Sequence, residues 1–174
     1  MKIVGKVERS YKQTYKKKSS VADPYLPKGA SKKITVCEGC HAVNKKKRWY
    51  ADPQLYDAAL TIRDTAVEVC PACLKIRDNF PGGIVTLKGD YVLPHKQELL
   101  NLIKNEEARA RGFNPLERVM SVKENGYGSM VISTTNEKLA QRIGRAIRKA
   151  FSGKVSYRWS HDNKLARVDW ERAA

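Results

Sequence analysis

From Gly82 onward, apolar positions recur with two alternating spacings. Ile84-Val85-Thr86-Leu87 is a short apolar run that reads as a strand. Leu99, Leu102, Ile103 and Ala110 return at helical spacing and predict a helix that stops at Gly112. Arg118 to Lys123 is strand-like, Asn125-Gly126 is a hairpin turn signal, and Ser129 to Ser133 is the returning strand. Residues 136–151 predict a second helix whose core face is Leu139, Ile143, Ile147 and Phe151. Lys154 to Trp159 and Leu165 to Trp170 read as two closing strands around a turn near Asp162-Asn163. This order predicts a ferredoxin-like βαββαβ domain with one extra strand over residues 81–174.

The pattern before Gly82 is different. Residues 1–33 show weak periodicity and hold ten basic against two acidic side chains. They read as a basic, flexible arm, with Lys16-Lys17-Lys18 at its most charged point, that orders on a polyanion. Ile34-Thr35-Val36 predicts a strand, and residues 53–67 predict a short helix through Pro53, Leu55, Ala58, Ala59 and Ile62. Residues 34–80 are therefore expected to form a second, smaller unit. The expected class is α+β: a small zinc-ribbon module followed by the ferredoxin-like domain.

Cysteine spacing supplies the reason for the smaller unit. Cys37-Glu38-Gly39-Cys40 and Cys70-Pro71-Ala72-Cys73 are two C-x2-C pairs. Two such loops bring four thiolates onto one ion, the tetrahedral sulfur set that zinc favours. One structural zinc held by Cys37, Cys40, Cys70 and Cys73 is expected, with Gly39 in a knuckle turn that calls for positive φ. Four sulfurs leave no open position for a metal-bound water, and none of His41, His95 and His161 begins the H-x-E of a nucleobase deaminase. The chain has no GxxxxGK[ST], no GxSxG and no carboxylate pair flanking a histidine, so neither an enzyme nor a small-molecule substrate is expected.

Charge then narrows the partner. Thirty-four Lys and Arg face 18 Asp and Glu, a net of +16. Such a chain attracts polyanions, nucleic acid first and an anionic membrane surface second. Short apolar runs exclude a membrane span, and the opening Met1 to Lys6 has no apolar stretch of a secretory signal, so a cytoplasmic location is expected, or a nucleoplasmic one if the source has a nucleus; a monomer is expected. Lys45-Lys46-Lys47-Arg48 runs into Trp49-Tyr50, where cations suit phosphates. Trp49 either stacks on unpaired bases or covers the metal knuckle. On the second predicted helix Lys138, Arg142, Arg145 and Lys149 form one stripe, flanked by Arg148, with Glu137 as the nearby acid. The strands carrying Ile84, Thr86, Met130 and Ile132 lack the aromatic pair of an RNA-recognition motif.

Cys70 to Cys73 followed by Gly82-Gly83-Ile84-Val85-Thr86-Leu87-Lys88-Gly89 resembles the end of the zinc region in the Nmd-three family. Gly128 to Phe151, with Ser133-Thr134-Thr135 leading into Lys138-Leu139-Ala140, resembles a second block of that family. The likeness spans about residues 35–172 and is to a short form, zinc module plus ferredoxin-like domain, with one cysteine set where the family commonly has more. Members bind the large ribosomal subunit and serve as its export adaptor and late assembly factor. The resemblance implies a ribosomal RNA or ribosomal-subunit partner, the large one, and a role in assembly, quality control or dormancy. It ranks Lys88, Arg142 and Arg145 first among RNA contacts. A zinc-ribbon protein of DNA binding or transcription is the alternative class.

Overall fold

The computed structural model describes residues 23–26, 33–126, 128–160 and 164–173. Lys16, Lys17 and Lys18, His161 and the turn at Asp162-Asn163 lie outside the described residues. The fold is α+β, with four helices and two mixed sheets among the described residues.

The first sheet is built from very short strands. Strand β1 (Thr35–Cys37) pairs antiparallel with β2 (Val43–Lys45), which pairs antiparallel with β3 (Arg48–Tyr50). Helix α1 (Pro53–Leu60) follows because Asp52 caps it, accepting from the backbone N–H of Gln54 and Leu55, with Pro53 in the first turn. Strand β4 (Ala66–Glu68) then returns parallel to β1. Val36, Val43 and Ala59 make a small core between sheet and helix. Helix α2 (Pro71–Arg77) begins at the second cysteine pair, with Cys70 as its cap and Pro71 at its first position.

The second sheet starts with β5 (Gly83–Lys88), followed by α3 (Lys96–Phe113), β6 (Val119–Asn125) and β7 (Ser129–Thr134). Helix α4 (Glu137–Phe151), capped by Asn136, leads into the hairpin strands β8 (Lys154–Trp159) and β9 (Ala166–Glu171). Strand order is β6-β7-β5-β9-β8. Both helices lie on one face, where Leu99 and Ile103 of α3 and Leu139, Ile143 and Ile147 of α4 meet Val85, Leu87, Met130, Ile132, Val168 and Trp170. All of these are essentially solvent-free.

From β5 onward the element order is the one that hydrophobic spacing predicts. The placement of the closing hairpin is not. A four-stranded ferredoxin-like sheet has the strand after the second helix beside the first strand, antiparallel to it. Here β9 takes that place, parallel to β5, and β8 is displaced to the edge. Alternation explains the choice: Ala166, Val168 and Trp170 bury one full face, whereas β8 offers only the half-buried Val155 and Tyr157 and the exposed Trp159.

Candidate metal centre and basic surfaces

Cys37 ends β1 and Cys40 closes the turn after it, where the His41 N–H donates to the Cys37 carbonyl and the Cys37 N–H to that of Ala42. Cys70 and Cys73 sit on the first turn of α2. A zinc ribbon would hold both pairs in hairpin turns; the second pair opens a helix instead, because Pro71 and the Cys70 cap favour helix initiation there. The four Sγ atoms lie within 4.8 Å of one another. Cys37 and Cys73 Sγ are 3.9 Å apart, Cys40 and Cys70 Sγ 3.6 Å. A regular tetrahedron with bonds of about 2.3 Å requires edges of about 3.8 Å. The set fits a tetrahedral ion.

The surroundings supply donors to sulfur. Backbone N–H groups of Cys70 and Cys73 donate to Cys37 Sγ at 3.2 Å and Cys70 Sγ at 3.4 Å. Arg118 Nη1 donates to Cys73 Sγ at 3.2 Å. The hydrogen bond with Cys70 pulls the Cys40 thiol down to about 4, and the same bond pushes Cys70 up. Burial raises Cys73. Cys40, Cys70 and Cys73 thus hold their protons unequally, and a divalent cation on the cluster would resolve that competition.

Gly39 has another role than the one its spacing predicts. Its φ is not positive; the left-handed residue is His41, at 60°. What crowds a side chain at Gly39 is proximity, since a Cβ would stand 3.3 Å from Cys73 Sγ. His41 is exposed and stacks on Tyr56, ring centroids 4.7 Å apart.

Trp49 belongs to the wall of this centre. It packs with Cys37, Ala42, Cys70 and Ala72 and is 9% exposed. Its ring is therefore not offered for base stacking, and the expectation that places it among RNA contacts is corrected: the cysteine cluster needs an apolar lid, and Trp49 is that lid. Lys45, Lys46, Lys47 and Arg48 are exposed at the tip of the β2–β3 hairpin. Lys46 and Lys47 form its two-residue turn at φ 52° and 68°, a type I′ geometry that favours Asn-Gly.

On α4, Lys138, Arg145, Arg148 and Lys149 are exposed and Arg142 is half-buried. Among the described residues none of the five is in an ion pair. Tyr157 lies beneath this row: burial raises its hydroxyl pKa, Arg145 and Arg148 oppose the rise, and its ring stacks on the exposed Trp159, centroids 6.2 Å apart. Lys88 does not join the row. Leu87 faces the helices, so Lys88, next along β5, points to the opposite side of the sheet. Ile84 and Thr86 share that open face, whereas Met130 and Ile132 are buried beneath the helices.

Two residues around the cysteine cluster and α2 carry no local sequence signal. Arg118 reaches the cluster from 45 positions beyond Cys73. Lys75 is buried, paired with Asp23 and donating to the Thr135 carbonyl at 3.0 Å. Among the described residues, no helix is long and apolar enough to cross a membrane. No family model, curated protein or solved structure matches the chain.

Proposed function

We propose that this protein binds structured RNA, ribosomal RNA on a ribosomal particle, through separate basic surfaces held rigid by a zinc-loaded cysteine centre. The observation that carries the reading is the row on α4, where five cations stand on one helix with no acidic partner among the described residues. Such a row is self-repulsive unless phosphates neutralise it. The net charge of +16 and the lysine turn of the β2–β3 hairpin point the same way.

Zinc is the ion we assign, because a closed set of four cysteine sulfurs matches its preference. Its contribution is structural: it joins the β1–β2 turn to α2. The sheet's open face, with Ile84 and Thr86 at its centre, supports phosphate contact at Lys88 better than base stacking. The resemblance of residues 70–89 and 128–151 to the Nmd-three family supports the large subunit as the particle and assembly, quality control or dormancy as the setting. The same resemblance, with the βαββ order of β5 to β7, supports a ferredoxin-like ancestry for the second sheet.

The test is filter binding to ribosomal particles and to RNA duplexes across a salt series. Arg142→Glu with Arg145→Glu should weaken binding at every sequence and flatten the dependence of log K on log salt by about 0.7–0.9 for each lost phosphate. Folding should be intact, because neither residue belongs to the Leu139–Ile143–Ile147 face. Unchanged affinity and slope would remove α4 from the interface; recovery of promoter DNA rather than rRNA after crosslinking in cells would overturn the reading.

A further inference from the structure

A concavity of about 330 Å³ lies where β3 and the start of α1 meet the end of α3. Its size falls at the low end of the range of about 300–1,000 Å³ typical of small-molecule pockets. Trp49, Tyr50, Pro53, Phe113 and Pro115 give it flat apolar walls. Phe113 is 74% exposed, more than any other large apolar side chain among the described residues. Arg48 is fixed across the site, its Nη2 donating to the Phe113 carbonyl at 3.3 Å and its guanidinium 5.4 Å from the Tyr50 ring centre.

The lining discriminates between ligand chemistries. Asp52 stands in the wall with Oδ1 committed to the α1 cap. A carboxylate here repels a phosphate and accepts from the ring or amino N–H of a base. Aromatic and proline faces with a planar guanidinium suit a flat heterocycle. The phosphates have their own seat nearby. Arg48, Trp49 and Tyr50 follow directly on the Lys45–Lys47 turn, so Tyr50 stands about 10 Å along the strand from Lys47.

We infer that this pocket receives one unpaired base of an RNA whose flanking phosphates lie on Lys45, Lys46 and Lys47. The inference rests on the RNA-binding reading and adds a base-recognition subsite to it. Trp49 enters only as part of the floor, while Tyr50 and Phe113 provide the open ring faces.

Two RNA duplexes, identical except for a single bulged 2-aminopurine, test it with the full chain. Two variants alter the pocket without touching a core: Phe113→Ala removes the exposed ring, and Gly112→Leu adds bulk where a Cβ meets nothing within 4 Å. Thermal melts verify that both fold. Wild type should bind the bulged duplex about tenfold tighter than the paired one and quench the 2-aminopurine emission. Both variants should lose that margin and keep wild-type affinity for the paired duplex. Equal binding of the two duplexes by wild type, or a margin retained in both variants, overturns the inference and leaves the pocket to a protein side chain. Binding of neither duplex at low salt sinks the RNA-binding reading itself, and the subsite with it.

Discussion

Arg118 Nη1 donates a hydrogen bond to Cys73 Sγ at 3.2 Å, joining the stretch that opens β6 to the cysteine centre. Leu116, two residues earlier, packs against the same cluster. Thr135 completes the connection: its Oγ1 donates to the Leu116 carbonyl, and its own carbonyl accepts from Lys75 of α2. A divalent ion with four thiolates carries a net charge of −2, and a guanidinium on one sulfur offsets part of it. The cysteine cluster and the second sheet are therefore joined by a charged hydrogen bond and by packing.

Arg118→Met keeps the apolar stem and removes the charged donor. Partners of this kind are worth about 10–100-fold in metal affinity. Competition against a chromophoric chelator should show a loss in that range. An unchanged dissociation constant would mean that the contact is incidental.

Purified protein should contain one ion per four cysteines. Cys40→Ser, or chelation, should unfold β1 through α2, since a structural zinc contributes on the order of 10 kcal/mol of apparent binding energy. Protons compete for the same sulfurs, so acidification should release the ion and alkalinisation should not. Residues 82–174 should retain their circular dichroism, because the core beneath α3 and α4 contains no cysteine. A metal-free preparation with an unchanged spectrum contradicts this.

The lysine turn of the β2–β3 hairpin separates stability from binding. A non-glycine residue in the left-handed region costs roughly 1 kcal/mol. Lys46→Asn with Lys47→Gly supplies the residues that a type I′ turn favours. The melting temperature should rise, by about 2–4 °C for each kcal/mol recovered. RNA affinity should fall, with the salt slope shallower by about 0.7–0.9 for each lysine that contacts phosphate. A variant that is more stable and binds equally well would show that the turn does not touch RNA.

Two helical glycines should respond in opposite directions to alanine. At Gly112 a Cβ meets open space, and the helix should gain up to about 1 kcal/mol. At Gly144 a Cβ would stand 2.5 Å from Val168 Cγ1, inside the packed face between α4 and β9. Gly144→Ala should therefore lower stability by about 1–3 kcal/mol despite its better helix propensity. Denaturant midpoints decide both.

Helices α3 and α4 were legible because Leu99, Ile103, Leu139, Ile143 and Ile147 repeat at helical spacing over several turns, and tertiary packing keeps that pattern. Helix α2 was not, because its seven residues carry one cysteine of the cluster and a buried lysine, leaving too few apolar positions for a period. Strand β4 is three residues long with Val67 and Glu68 exposed, so it has no alternation to read. The cysteine cluster followed from spacing alone, since C-x2-C constrains where two sulfurs can go. Trp49 could not be assigned from sequence, because a basic–aromatic run is equally consistent with stacking outward or packing inward. The Tyr50–Phe113 pocket and the Arg118 contact join distant parts of the chain, and only the fold brings them together.

The parallel pairing of β5 with β9 has a temporal consequence. Gly83 pairs with Ala166, so one edge of β5 waits until the chain has been made as far as β9. At about 5–20 residues per second, a nascent chain spends several seconds with β5 and β7 formed and a row of backbone donors and acceptors unmatched. Residues 34–80 have been made by then, and their four sulfurs can already come together. Premature termination between α4 and β9 leaves a protein with its cysteine cluster made and an open central strand, a form suited to aggregation or to recognition by chaperones and proteases.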